Sequence, residues 1–171
     1  MKDIILAQKA RNGNKEAFDQ LVRRYYPQIY NYIYRRTDNK ELAEDLTQET
    51  FLKLTRAIGR YVPAAKFATF LYRIAQNTLI DHYRSAKAEL EEVPEQWEES
   101  KSGQVEDKIF MESILKRIPE EQRECLILYY YQQLKYKEIA MILQVPISTV
   151  KTRVRRGLET CKKIMEKEDS L

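Results

Sequence analysis

The 171-residue chain contains little glycine and little proline, only 4 and 5 residues. Because these residues end helices and form tight turns, their scarcity predicts long helices and few turns. No apolar run approaches the length of about 18 residues that a membrane span needs, and the start MKDIILAQKARNG has no signal-peptide pattern. We therefore expect an intracellular soluble protein with one domain or two small ones.

Histidine and cysteine are also scarce. The sequence has one histidine, His82, and two cysteines, Cys125 and Cys161, without paired spacing. Metal sites need clustered Cys and His, so we predict no metal. A disulfide is not expected in a reducing cytosol, and we interpret both cysteines as small apolar packing residues. The sequence has no cluster of histidine and acidic residues that would indicate a catalytic site. We therefore expect neither a cofactor nor enzyme activity.

Charge, in contrast, is abundant and unevenly distributed. The net charge is +4, but residues 87–107 hold eight acids and two bases, a net −6 that leaves +10 for the rest of the chain. This segment contains Pro94 and Gly103 and has no helical period, so we interpret residues 88–106 as an acidic flexible linker between helical domains at 1–87 and 107–171. The basic remainder is typical of proteins with an anionic partner, most often nucleic acid.

Apolar residues recur at helical spacing on both sides of the linker. Before it we predict four helices: 14–26 with Asn14 as N-cap, 27–36 opened by Pro27, a third over 41–54 with Asp38 as N-cap and Glu41 completing a capping box, and 67–87. After it we predict helices over 106–118, 119–133, 136–144 and 148–167. No segment has a strand pattern, so we expect an all-α fold of two helical bundles.

The segment ELAEDLTQETFLKL, residues 41–54, has an unusual polar face. One side of this helix is an apolar stripe that includes Leu46, Phe51 and Leu54. The opposite side carries Glu41, Glu44, Asp45 and Gln48, with Leu52 at its centre. A single exposed leucine is common on any surface, whereas an apolar residue ringed by polar ones is also the usual anatomy of a protein interface.

The segment YKEIAMILQVPISTVKTRVRRGL has the form of a helix-turn-helix. Ile139, Ala140 and Leu143 would pack the first helix, Val145 would fill the turn, and the second helix would pack through Val150, Val154 and Leu158. The side chains predicted to face outward are Ser148, Thr149, Thr152, Arg155 and Arg156, with Lys151 and Arg153 on the flanks. Hydroxyls and amides can bind phosphates and arginine can bind a guanine edge, so the pattern favours DNA binding over an ordinary basic surface helix.

The helix predicted over residues 67–87 also has two distinct faces. One face has Leu71, Ile74, Ala75, Thr78, Leu79 and His82, which makes His82 a packed, half-buried residue and not a ligand. The other has Arg73, Gln76, Asn77, Ile80, Arg84 and Lys87. A cationic face near the rings of Phe67, Phe70 and Tyr72 is typical of single-stranded DNA binding, although aromatic residues at this spacing are usually core.

In this order, the segments resemble the extracytoplasmic-function (ECF) type of sigma factor, a two-domain class of the sigma-70 family. ARNGNKEAFDQLVRRYYPQIYNYIYRRT resembles the start of region 2, and AEDLTQETFLKL resembles its helix for core polymerase. FATFLYRIAQNTLIDHYR resembles the segment that melts the promoter and recognises the minus-ten element. IPEEQRECLILYYYQQLKYKEIAMILQVPISTVKTRVRRGLE resembles region 4, which recognises the minus-thirty-five element.

The resemblance implies a protein that binds core RNA polymerase, directs promoter-specific initiation and assists promoter melting, with no catalytic site of its own. It implies polymerase contacts at Glu41, Asp45, Gln48, Glu49 and Leu52, minus-ten contacts at Arg73, Gln76, Asn77, Ile80, Arg84 and Lys87, and minus-thirty-five contacts at Ser148, Thr149, Lys151, Thr152, Arg153, Arg155 and Arg156. It further implies a cytoplasmic location, promoter DNA in duplex and melted form as a partner, and an anti-sigma factor, which in this family is often membrane-anchored.

Four positions depart from the family pattern. Phe70 stands where the family usually has Trp, Lys135 where it has Ser, Gln144 where it has Gly, and Pro146 where a Ser N-cap is common. These departures leave open where the two helices of the motif begin and end and which promoter sequence the protein recognises. The role of the acidic linker is also open, because its charge could mimic nucleic acid or the linker could be a solvated connector. The alternative function is a free-standing helix-turn-helix regulator that dimerises on operator DNA and would not need the surface around Leu52.

Overall fold

The computed structural model describes residues 2–89, 106–168 and 170. Within these residues all regular structure is helical, which confirms the all-α prediction. The chain divides into two compact units, residues 1–98 and 99–171. Most of the predicted linker lies outside the described residues, but its two ends are helical, since one helix extends to Glu89 and the next begins at Glu106.

The described part of the first unit contains four helices: α1 (Lys2–Arg11), α2 (Lys15–Thr37), α3 (Lys40–Ala57), which is followed by a 3-10 turn at Ile58–Arg60, and α4 (Phe67–Glu89). Helix α2 packs against α1, α3 and α4. The side chains fully buried between these elements include Leu21, Ile29, Tyr32, Ile33, Leu54, Tyr61, Phe67, Leu71, Tyr72 and Leu79. Helices α3 and α4 therefore pack on one shared core, and each has its outer face turned away from that core.

Helix α2 is continuous through Pro27, so the prediction of two helices at 14–26 and 27–36 is wrong. Proline removes the hydrogen bond to the carbonyl of Arg23 and costs about 3 kcal/mol in a helix interior. Both Pro27 and Arg23 are exposed, so water can bind that carbonyl. The buried stripe that includes Leu21, Tyr25 and Ile29 continues across the proline and outweighs its cost.

The start of α3 lies one residue from the predicted cap. Asn39, not Asp38, is the N-cap, and its side-chain oxygen accepts a hydrogen bond from the Leu42 amide at 3.0 Å. Asp38 instead ends α2 in the left-handed conformation, with φ of 51°. The prediction of a capping box between Asp38 and Glu41 is therefore wrong, whereas the predicted N-cap Asn14 accepts from the Ala17 amide at 2.8 Å.

The described part of the second unit contains α5 (Glu106–Lys116), α6 (Glu120–Leu126), which continues as a π-helix over Ile127–Tyr131, α7 (Tyr136–Leu143) and α8 (Ile147–Glu168). Helix α8 packs against α5, α6 and α7. Cys125 and Cys161 are both buried and free, as predicted. Burial raises the pKa of Cys125 to about 12, so this thiol stays protonated and unreactive at neutral pH.

Helices α6 and α8 cross closely at Gly157. A Cβ atom at this position would lie 2.9 Å from Cδ1 of Leu126, a side chain that is itself buried. The predicted inward position of Leu158 is wrong, because Leu158 is 43% exposed and the buried row on α8 runs through Val150, Val154, Gly157 and Cys161.

The helix-turn-helix forms although three of the usual family residues are absent from it. Gln144 adopts the left-handed conformation with φ of 56°, and its amide closes α7 by donating to the carbonyl of Ala140. The carbonyl of Pro146 accepts from the amides of Thr149 and Val150 at the start of α8. At Lys135, whose side chain has no acceptor, the carboxylate of Glu138 still accepts from the backbone amide at 2.8 Å.

Candidate functional surfaces

The outer face of α3 carries the five residues that define what we call the α3 surface: Glu41, Asp45, Gln48, Glu49 and Leu52. All five are exposed, and Leu52 is 59% exposed. The opposite face of the helix is buried through Leu46, Phe51 and Leu54, so the packing fixes which side chains point outward. The structure therefore brings the predicted polymerase contacts together on one acidic surface with an apolar centre.

Lys53 lies beside the α3 surface and was not predicted from the sequence. Its ammonium group is 3.1 Å from a carboxylate oxygen of Glu49 and 3.0 Å from one of Asp81 on α4. Burial opposes the charged form, but the hydrogen bonds and charges of Asp81 and Glu49 outweigh it and raise the pKa of Lys53. The spacing of Glu49 and Lys53 is a visible helical pair, whereas Asp81 comes from another helix and leaves no sequence signal.

The outer face of α4 includes five of the exposed residues of this helix, which together we call the α4 surface: Arg73, Asn77, Ile80, Arg84 and Lys87. The sixth predicted member, Gln76, is only 6% exposed, so its placement on this face is wrong. His82 is half-buried, as predicted, and packs against the ring of Tyr83. Phe67 and Tyr72 are buried and cannot stack on DNA bases, and Phe70 is partly exposed.

Gln76 belongs to a buried polar cluster between α2 and α4. Its side-chain oxygen accepts a hydrogen bond from the hydroxyl of Tyr32 at 2.7 Å and one from the guanidinium of Arg36 at 3.1 Å. The same guanidinium donates to the Tyr32 hydroxyl at 3.2 Å. Gln76 thus stabilises the contact of α4 with α2, and its neighbour Asn77 points to solvent.

The outer face of α8 forms the α8 surface: exposed Ser148, Lys151, Arg155 and Arg156, with Thr149 and Thr152 partly exposed. Arg155 forms an ion pair with Glu159 at 2.9 Å. The predicted contact Arg153 is placed differently. Its side chain is 19% exposed and lies 3.0 Å from Glu121 and 4.0 Å from Glu124, both on α6.

Comparison with known proteins identifies the family to which this chain belongs. The family model described as Sigma-70 region 2 matches residues 21–89, and the model Sigma-70, region 4 matches residues 111–161. The ECF RNA polymerase sigma factor SigW of Bacillus subtilis is 33% identical over an alignment of 173 positions, which covers 91% of this chain and 92% of the relative. This chain belongs to the sigma-70 family as an ECF sigma factor.

Two solved structures share the fold. CnrH, solved in complex with the cytosolic domain of CnrY, aligns with a TM-score of 0.77 at 24% identity and covers 97% of this chain and 98% of its own. The sigma factor RpoE of Bartonella quintana, solved with the anti-sigma factor NepR, aligns with a TM-score of 0.74 at 21% identity, over 87% of this chain and 96% of its own.

The family assignment gives the function of the chain. As a sigma factor it binds core RNA polymerase, directs initiation at promoters and assists promoter melting. The region 2 match contains the α3 and α4 surfaces, and the region 4 match contains the α8 surface. The match over residues 21–89 decides against a free-standing helix-turn-helix regulator, which needs no such domain.

Two further properties concern only the part of the chain that the structure describes. Over residues 2–89 and 106–168, no group of three or more His, Cys, Asp and Glu side chains could hold a metal ion. None of the helices there is both long enough and apolar enough to cross a membrane.

Proposed function

We propose that this sigma factor docks on core RNA polymerase through the α3 surface, with Leu52 as the apolar anchor and Asp45, Gln48 and Glu49 as polar contacts. The supporting observation is the 59% exposure of Leu52 at the centre of an acidic face that rigid packing holds outward. Apolar anchors ringed by polar contacts supply most of the free energy of many protein interfaces. Purified core polymerase mixed with this chain should start transcripts at a defined set of promoters, which sequencing of the transcripts would identify.

The α4 surface serves promoter opening in this proposal. Asn77 lies centrally among Arg73, Ile80 and Arg84, and all four are exposed. An amide both donates and accepts hydrogen bonds and can bind the edge of an unpaired base, whereas arginines mainly hold phosphates. Gln76, which is buried, takes no part in these contacts.

Asn77→Ala should lower the yield of open promoter complex and leave polymerase binding and closed-complex formation unchanged. A base taken out of the stack costs a few kcal/mol, which contacts such as those of Asn77 must offset. Permanganate reactivity of promoter thymines measures the opening. A template with a pre-melted bubble should restore part of the activity, because the opening cost is already met. Equal opening of the duplex template by mutant and wild type would refute this role.

The α8 surface binds the minus-thirty-five element in this proposal. Its exposed hydroxyls lie at the N-terminal end of α8, where backbone amides and the helix dipole favour phosphates, and Arg155 and Arg156 follow one to two turns later. Lys151 extends the same cationic face. Unlike these residues, Arg153 is paired with two carboxylates of α6.

Arg156→Ala, and separately Arg155→Ala, should reduce occupancy of the upstream promoter element. An arginine that contacts a guanine is worth about 1–3 kcal/mol, and a phosphate contact instead lowers the salt slope by about 1. Occupancy measured at several salt concentrations separates the two cases. Lys163→Ala, which removes the same charge from an exposed position farther along α8, is the matched control. If neither arginine variant differs from this control at any salt concentration, another face of the domain binds DNA.

The proposal also covers the partners of the chain and its location in the cell. The chain acts in the cytoplasm, without a catalytic site of its own, and is held inactive by an anti-sigma factor. The support for an anti-sigma partner comes from proteins of the same fold, of which one was solved with an anti-sigma factor and another with the cytosolic domain of its partner. Co-purification of this chain from its native cells, with identification of the bound protein, tests this part separately from polymerase binding.

A further inference from the structure

A groove separates the start of α6 from the first turns of α8. Its lining includes Glu121 on α6 and Ser148, Thr149, Thr152, Arg153 and Arg156 on α8. Four of these residues, Ser148, Thr149, Thr152 and Arg156, belong to the α8 surface. Duplex DNA bound to the α8 surface would therefore lie against the start of α6 as well.

Glu121 places a negative charge at this groove. Its side chain is 72% exposed, and one of its carboxylate oxygens lies 3.0 Å from a guanidinium nitrogen of Arg153. A carboxylate oxygen of Glu124, which is buried, lies 4.0 Å from the other terminal nitrogen of the same guanidinium. One arginine of the DNA-binding helix is thus shared by two carboxylates of α6.

Stability does not account for the contact between Glu121 and Arg153. An ion pair with one largely exposed partner contributes little to the free energy of folding. The carboxylate of Glu121 has its main electrostatic effect on what approaches the groove from solvent.

The approaching ligand is a polyanion. A carboxylate beside the phosphate backbone repels it, and an arginine hydrogen-bonded to that carboxylate has fewer donors for phosphates. Both effects are independent of sequence, because phosphate contacts carry no base information. We propose that Glu121 limits the affinity of this sigma factor for DNA of any sequence by withholding Arg153 from the phosphate backbone.

This inference rests on the proposed role of the α8 surface. Its consequence is that base contacts, and not general attraction to phosphates, decide where the domain binds. A genome offers a large excess of non-promoter sites, so a lower sequence-independent affinity leaves more of the protein for promoters. Glu121 is in this sense a specificity-determining residue that makes no base contact.

The test uses the full chain and a 30-base-pair duplex of scrambled sequence, with affinity measured by fluorescence anisotropy between 50 and 200 mM salt. Glu121→Gln should bind this duplex several-fold more tightly than wild type at 50 mM salt. One added phosphate contact steepens the slope of log affinity against log salt by about 0.9, so the gain should shrink by a factor of about 3.5 across this range. Glu166→Gln, which removes a carboxylate that pairs with Lys162 near the end of α8, is the matched control and should show no gain.

The double variant Glu121→Gln with Arg153→Met identifies the cation that is released. It should lose the added affinity and return to the wild-type salt slope. The inference is overturned if Glu121→Gln binds the scrambled duplex no more tightly than the control, or if the double variant keeps the full gain. Arg156→Ala, measured on a duplex that carries the upstream promoter element, distinguishes the two levels: no loss with Arg156→Ala there means that the α8 surface itself is wrongly assigned, whereas a loss there with no gain for Glu121→Gln on the scrambled duplex removes only the role of Glu121.

Discussion

Leu52→Asp is expected to weaken binding to core RNA polymerase by about 2 kcal/mol or more, roughly 30-fold, and to leave the fold intact. The side chain is 59% exposed and the buried face of α3 does not include it, so the change alters a surface and not the core. Asp45→Lys should act in the same direction, because it reverses a charge on the acidic part of the α3 surface. Competition with labelled wild-type protein for core polymerase measures the effect.

The control for this experiment is another exposed apolar residue of the same unit. Ile5 on α1 is 49% exposed and lies outside the α3 surface, so Ile5→Asp should compete for core polymerase as well as wild type. Circular dichroism verifies that every variant keeps native helicity. The proposed interface is wrong if Leu52→Asp and Asp45→Lys are both folded and both compete like the Ile5 variant.

Gln76→Leu is expected to destabilise the first unit by about 3 kcal/mol. The substitution keeps the volume but removes the oxygen that accepts from Tyr32 and Arg36, both of which are buried. A buried donor that loses its acceptor costs about 1–3 kcal/mol, and more when the donor is charged. For a domain of this size each kcal/mol lowers Tm by about 4–8 °C, so a fall of more than about 10 °C should appear in thermal unfolding.

Asn77→Ala is the natural comparison for Gln76→Leu, because the two residues are adjacent in sequence and point to opposite environments. The free energy of unfolding of the Asn77→Ala variant should stay within about 0.5 kcal/mol of the wild-type value, as for most surface substitutions. Unfolding of the Gln76 variant at the wild-type temperature would show that the cluster with Tyr32 and Arg36 does not stabilise the contact between α2 and α4.

Helical periodicity predicted α3, α4, α7 and α8 and the outward positions of Leu52, Asn77 and Arg156. It succeeded there because each helix has one wide buried face and one solvated face, and this contrast repeats every 3.6 residues. It failed at Gln76 because α4 packs against more than one helix, so that a polar side chain near the edge of the stripe is also covered. The partners that make this burial possible, Tyr32 and Arg36, lie about 40 residues away in the chain and leave no local signal.

The error at Leu158 has a geometric cause. Steps of four residues advance about 40° around a helix each time, so the row from Val150 through Val154 to Leu158 turns away from the core. Steps of seven residues return to within about 20°, and Gly157 therefore lies on the buried side. A glycine carries no hydrophobic signal, and its role as the site of closest helix contact becomes visible only with Leu126 opposite it.

The crossing at Gly157 also places different constraints on the two sides of α8, because the buried side packs on α6 and the exposed side does not. A larger residue there would displace the side chain of Leu126, so this close approach of α8 to α6 requires a small residue at the crossing. Under the proposed role of the α8 surface, promoter preference can diverge by substitutions among the outward residues of α8, such as Ser148, Lys151 and Arg156, without any change at this crossing. Related proteins that keep a small residue at this crossing should share one docking geometry on DNA even where their promoter sequences have no base in common.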